Sequence, residues 1–149
     1  MADHARRTLA EILAEAERRI DRLSPVEAEA ALARGALLVD IRSDTAREQD
    51  GVVPGSLHVP RTVLEWRFDP DGAFRNPCVG GLDDPVLVIC DHGHSSILAA
   101  ATLVVLGYAR AGDVVGGFEA WRDAGLPVAR APAGRRPGAL PGMGPADPT

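Results

Sequence analysis

Near the start of the chain, apolar residues recur at three- and four-residue steps. They are Leu9, Ile12, Leu13, Ala16, Ile20 and Leu23, with Glu11, Glu15, Glu17, Arg18, Arg19 and Arg22 on the other faces. That spacing predicts an amphipathic helix with a narrow apolar stripe. Two readings of the stripe stand: the helix packs on its own domain, or it pairs with a second copy of the chain. The next segment, SPVEAEAALARG, carries helix signals at both ends. Ser24 is an N-cap, Pro25 takes the first helical position, Glu27 completes a capping box, and Gly35 can end the helix.

The pattern then alternates between short apolar runs and helical pieces. ALLVDIR predicts a buried strand from Ala36 to Ile41, and SDTAREQDG a short helix started by Ser43 and stopped at Gly51. VVPGSLHVPR reads as a turn around Pro54-Gly55 followed by a brief strand, and TVLEWRF as a helical piece. A long loop, DPDGAFRNPCVGGLDDP, precedes VLVIC, the most strongly buried strand. Ile97 to Leu106 reads as a helix apolar all round, and DVVGGFEAWRDAGLPV as a strand, a glycine turn and a last helix bearing Phe118 and Trp121. Strands alternating with helices imply an α/β domain with a central, largely parallel sheet. In such sheets function sits in loops beyond the carboxyl ends of the strands. Cys90 and Asp40 fall there.

Composition narrows the classes. A chain of 149 residues, 46% hydrophobic, suits one domain with short extensions. A net charge of −5 argues against nucleic acid or anionic membrane as a partner. Arginine supplies every positive side chain, a feature of GC-rich bacterial genomes and not of a mechanism. The N-terminus carries acidic residues and no apolar core, unlike a signal peptide, and the apolar run Ile97 to Gly107 is too short to span a bilayer. Two cysteines, Cys78 and Cys90, make no disulfide framework. The expectation is a cytoplasmic protein with reduced thiols.

The stretch around Cys90 turns abruptly from apolar to polar and back: VLVIC, DHGHSS, ILAAATLVVLG. A strand ending at Cys90 and a helix starting near Ser95 or Ser96 leave a short loop of unpaired backbone N–H groups. If the loop curls around the sulfur, those amides and the positive end of the helix favour thiolate, the nucleophilic form. Gly93 permits the turn, and Ser95 or Ser96 can cap the helix. Three other readings compete: a small buried side chain, a metal site from Cys90, His92 and His94, and a redox pair with Cys78. The metal site lacks further ligands and any paired CxxC, and nothing in the sequence brings Cys78 to Cys90. A cradled nucleophile is the best single explanation.

The same stretch resembles the active-site loop of the rhodanese family, C-x-x-G-x-R-S. ALLVDIR resembles that family's early Asp-containing strand, VVPGSLHVPR its G-H-I-P-G-A segment, and VVGGFEAWRDAGLPV its closing G-G-[FY]-x-x-W helix. The resemblance implies a rhodanese-like domain over 24–129, with helices on both faces of the sheet. An N-terminal amphipathic extension, 1–23, and a Pro- and Gly-rich tail, 130–149, lie outside it. The tail's composition predicts disorder. The resemblance further implies a sulfurtransferase in which Cys90 takes sulfane sulfur from a donor as a persulfide. It would then pass that sulfur to a thiol or cyanide, with no metal and no organic cofactor. The substrate-binding loop would be Asp91, His92, Gly93, His94, Ser95 and Ser96. Asp40 and Arg42 match the family's D-x-R as a charge pair that orders loop backbone.

The departures carry information too. The family's loop arginine falls on Ser95, and the G-H-I-P-G histidine on Val52. A fixed guanidinium grips a doubly charged donor such as thiosulfate, so its loss argues against efficient thiosulfate use. Asp91 repels anions, an effect that His92 and His94 would offset when protonated. Arg61 and Arg67 are candidates for positive charge at the mouth, and Trp66 and Trp121 for core or pocket wall. A second reading is a catalytically weak module for protein interaction or sulfur relay. Cysteine phosphatase chemistry is disfavoured, because the position six beyond Cys90 is Ser96 where C-x-x-x-x-x-R needs arginine.

Overall fold

The computed structural model describes residues 5–135 and 137–149; the first four residues of the predicted extension and Arg136 lie outside the described residues. Its strands are Asp21–Leu23 (β1), Leu37–Asp40 (β2), Leu57–His58 (β3), Val86–Ile89 (β4) and Ala111–Val114 (β5). They form one sheet in the order β1-β5-β4-β2-β3, and every neighbouring pair is parallel. The helices are Leu9–Arg19 (α1), Pro25–Ala33 (α2), Asp44–Asp50 (α3), Leu64–Phe68 (α4), Ser95–Val105 (α5) and Gly117–Asp123 (α6).

β4 lies in the middle of the sheet, and all four of its residues are buried. Its side chains alternate between faces, as a strand's period of two requires. Val86 and Val88 pack with Leu64 and Phe68 of α4 and Ala99, Ala100 and Leu103 of α5. Leu87 and Ile89 pack with Ala28 of α2 and Phe118 and Trp121 of α6. A central parallel strand covered on both faces therefore reads as one apolar run. Trp121 sits in this core and donates its indole N–H to the Pro127 carbonyl at 2.9 Å. Trp66, by contrast, is exposed. Leu64, Arg67 and Phe68 take the inward positions of the short α4, which turns Trp66 to solvent.

Residues 8–23 pack against α5 and the edge of the sheet. A capping box between Thr8 and Glu11 starts α1, which lies along α5 with Ile12 and Ala16 beside Leu98, Ala101 and Val105. This cover explains why α5 is apolar on all sides. The apolar spacing runs on to Leu23, but α1 stops at Arg19 and Ile20 is already extended. Residues 21–23 pair instead with Gly112, Asp113 and Val114 as the edge strand of the sheet. Close approach requires Gly112, where a Cβ would lie 2.4 Å from the Asp21 carbonyl oxygen.

Among the described residues, the tail forms no helix or strand past Ala129, which bridges Val52. It is nonetheless held, unlike the free segment its composition predicts. Fully buried Asn76 donates to the carbonyls of Gly142 at 2.7 Å and Gly144 at 3.0 Å. Buried Arg67 donates to Pro141 O at 2.7 Å, and the Asp147 carboxylate pairs with buried Arg47. Three buried polar side chains thus take their partners from the tail. Deleting 138–149 is expected to lower the melting temperature by about 5 °C, since each buried polar group left unpaired costs about 1–3 kcal/mol. A calorimetric melt identical to that of the full chain would refute this account.

Candidate active site

β4 delivers Cys90 to the carboxyl end of the sheet, and the loop to α5 then wraps it. Gly93 turns that loop with a φ of +82°, a left-handed conformation that disfavours other residues. Its N–H donates to the Cys90 sulfur at 3.1 Å. Burial opposes ionisation of this thiol, but the Ser96 and Ser95 hydroxyls and the Ser96 and Gly93 amides together favour the charged form and outweigh it. Cys90 consequently titrates below the ordinary thiol value. Ser95 and Ser96 open α5 from inside its first turn; the cap position is His94, whose side chain makes no capping bond. The predicted serine caps are therefore absent. The Ser96 hydroxyl donates instead to the Asp113 carboxylate at 2.7 Å.

The loop is closed from the far side by the glycine turn before α6. The Phe118 N–H donates to Cys90 O at 2.8 Å, and the Glu119 N–H to Asp91 O at 3.1 Å. Gly116 and Gly117 both have positive φ, and a Cβ on Gly117 would lie 2.5 Å from Cys90 O. Asp40, at the end of β2, accepts from the Arg42 backbone N–H at 3.0 Å and from its Nη2 at 2.8 Å. The Arg42 guanidinium lies 3.9 Å above the Phe118 ring. The Asp40–Arg42 pair thus bears on the loop through the residue that hydrogen-bonds the Cys90 carbonyl.

The remaining predicted residues divide. Asp91 is half-buried in the loop, whereas His92, His94 and Ser95 are exposed. The His92 ring Nδ1 lies 2.6 Å from Glu119 Oε2, which turns the imidazole outward. Arg67 is buried against the tail and Phe74 O, so it brings no charge to the mouth. Arg61 forks onto Glu65 one turn later. Among the described residues, no three His, Cys, Asp or Glu side chains gather to hold a metal ion. Cys78 lines a hollow of about 810 Å³ at the amino-terminal ends of the strands, with Leu37 and Val86. β4 separates it from Cys90, so the two sulfurs do not meet.

Two participants are missing from the sequence reading. Asp113, fully buried in β5, accepts from Arg22 Nε at 2.9 Å and Nη2 at 3.1 Å. Arg22 Nη2 also donates to Gly93 O at 3.1 Å. A carboxylate inside the short apolar strand AGDVV was the available signal for Asp113. Arg22 had none, since helical spacing assigned it to a solvent face.

Comparison with known proteins adds the following. A family model described as Rhodanese-like domain matches residues 24–124. The chain is 37% identical over 102 residues to the thiosulfate sulfurtransferase GlpE of Pseudomonas syringae pv. syringae, covering 68% of this chain and 86% of that one. A solved Rhodopseudomonas palustris protein of unknown function, described as a possible tyrosine phosphatase, superposes with a TM-score of 0.76 at 34% identity, covering 86% of this chain and 98% of that one. The human single-domain sulfurtransferase TSTD1 gives a TM-score of 0.59 at 26% identity, covering 70% and 96%. Among the described residues, no helix is long and apolar enough to cross a membrane.

Proposed function

Since the chain belongs to the rhodanese-like domain family and is a sulfurtransferase, we propose that Cys90 carries the transferred sulfur as a persulfide. The Cys90 thiolate attacks the outer sulfur of a donor. A new S–S bond forms, and the donor's own bond to that sulfur breaks with its electron pair leaving on the remainder, sulfite in the case of thiosulfate. An acceptor thiolate or cyanide then attacks the outer sulfur of the persulfide, and the electron pair returns to Cys90 as thiolate. Neither step needs a metal or a redox cofactor.

The observation that carries this reading is the loop closed on one sulfur: the Gly93 N–H donates to it at 3.1 Å, and Ser95 and Ser96 at the start of α5 favour its charged form. Donors fixed before reaction stabilise negative charge without reorganising, both on the thiolate and on the outer sulfur of the persulfide. Incubation with thiosulfate or a thiol persulfide should add the mass of one sulfur atom to the intact protein, on the peptide containing Cys90. No added sulfur from any donor would sink the proposal. In that event the module reading returns, and a partner retained by Cys90→Ala would favour it.

Ser95 bears on the choice of donor. It stands where the resembled loop has arginine, so a dianion is met by amides and the positive end of α5 and not by a guanidinium fork. A relative named for thiosulfate supports that donor, and we propose that thiosulfate is accepted here with a high KM. Ser95→Arg is then expected to raise kcat/KM for thiosulfate about tenfold, the worth of one charge-assisted pair, and to leave a thiol persulfide donor unchanged. An equal change for both donors would detach Ser95 from donor choice. Phosphate-ester hydrolysis, the chemistry attached to the R. palustris neighbour, has Ser96 against it, where an arginine would be needed to hold a tetrahedral oxyanion.

A further inference from the structure

Arg22 and Asp113 are register partners across β1 and β5, the edge pair of the sheet. Arg22 precedes residues 24–124, the span of the family model, and no loop motif includes it. Its side chain is three-quarters buried and that of Asp113 wholly so. The guanidinium meets both carboxylate oxygens in a fork and reaches on to Gly93 O, while Ser96 Oγ lies 2.7 Å from Asp113 Oδ2. The Gly93 N–H donates to the Cys90 sulfur at 3.1 Å, and Ser96 favours its charged form.

We infer that Arg22 is a positioning residue for Cys90: it pins the Gly93 end of the loop and neutralises Asp113, the buried carboxylate that holds the Ser96 hydroxyl. The second part is electrostatic. A buried carboxylate with no cation beside it would set an uncompensated negative charge next to the loop and oppose the thiolate. Both Asp113 oxygens accept from Arg22, so that charge is offset. The first part is geometric: the residue whose N–H meets the sulfur has its carbonyl held by the same guanidinium. The Arg22 guanidinium is held above its ordinary value chiefly by its hydrogen bonds to Asp113, against burial, and more weakly by Glu17 and then Cys90. A positive charge thus reaches the loop from the N-terminal edge strand, although Ser95 supplies none.

The inference rests on Cys90 as the sulfur carrier, but alkylation of the thiol requires no sulfur donor, so the two readings fail separately. The pH dependence of Cys90 modification by iodoacetamide, followed by peptide mass, reads the thiolate directly. Arg22→Gln is expected to move the midpoint up by about one unit, roughly a tenfold loss of thiolate at a pH below both midpoints. Asp113→Asn leaves the Arg22 charge uncompensated and is expected to move it down by about half a unit. Arg22→Lys, keeping charge without the fork, should fall between wild type and Arg22→Gln. The other charged groups on the surrounding elements are Asp91, His92 and His94 of the loop, Glu119 of α6, Glu17 of α1, and Asp40, Arg42 and Arg47 of β2 and α3 with the turn between them. All are common to every variant. Shifts of opposite sign support the inference, because a purely structural role would move both variants alike. Equal shifts, or an Arg22→Gln midpoint at the wild-type value, overturn it. Should Arg22→Gln fail to fold by circular dichroism, Arg22→Lys and Asp113→Asn still decide: a shift of the same sign in both rejects it.

Discussion

Replacing Cys90 by serine is expected to abolish sulfur transfer and leave the fold unchanged. A serine hydroxyl is almost wholly protonated near neutral pH and forms no persulfide, so the covalent route closes. A loss on the order of a thousandfold or more is the scale for removing a covalent nucleophile. The exchange of sulfur for oxygen is nearly isosteric, and the Gly93 N–H that met the sulfur at 3.1 Å can meet Oγ in its place. The cost to stability should stay within about 1 kcal/mol. Steady-state turnover with cyanide as acceptor, beside a thermal melt, measures both. Residual turnover above about a tenth of wild type would assign the nucleophile elsewhere. Cys78 cannot supply it, lying in the hollow at the opposite ends of the strands.

Gly117→Ala is expected to damage activity nearly as severely by a different route. Gly117 has a φ of +65°, which already costs an alanine about 1 kcal/mol. Its added Cβ would also lie 2.5 Å from Cys90 O, 2.7 Å from the Asp91 carbonyl carbon and 2.7 Å from Gly93 N. All three are backbone atoms, so no side chain can swing aside and the loop itself must move. A displacement near 1 Å at a reacting centre costs on the order of a hundredfold in rate. We expect that loss in kcat/KM together with about 2–4 kcal/mol of destabilisation. Gly125→Ala is the control. Its φ of +74° imposes similar backbone strain, yet nothing lies within 4 Å of the added Cβ. It should lose some stability and no activity. Similar rates for the two variants would show that the contact with the loop is not what requires Gly117.

The sheet and the cysteine loop were legible because their signals are local. VLVI is apolar throughout since β4 is covered on both faces. The capping box at Ser24 and Glu27 starts α2, and Ser43 caps α3, each through contacts three residues apart. Cys90 followed by small and polar residues, with Gly93 to make the turn, is a pattern of six neighbours. Where the reading failed, local signals favoured the wrong partner. Apolar spacing carried the first helix to Leu23, but pairing with β5 draws residues 21–23 into the sheet. Low complexity predicted a free tail, yet Asn76, Arg67 and Arg47 find acceptors in it. Ser96 looks like a helix cap by position, and its hydroxyl turns to Asp113.

By itself, then, the sequence determined the α/β alternation, the central strand and a cysteine at its carboxyl end inside an amide-rich loop. Period, capping and turn chemistry act over a few residues and are written in neighbours. Only the tertiary structure decided what surrounds that thiol. Arg22 meets Asp113 across 91 residues of chain and Gly93 across 71, and Gly117 closes on Cys90 from another element. Such contacts depend on how strands order in the sheet, and a buried carboxylate or a left-handed glycine shows its purpose only once its partner is in place.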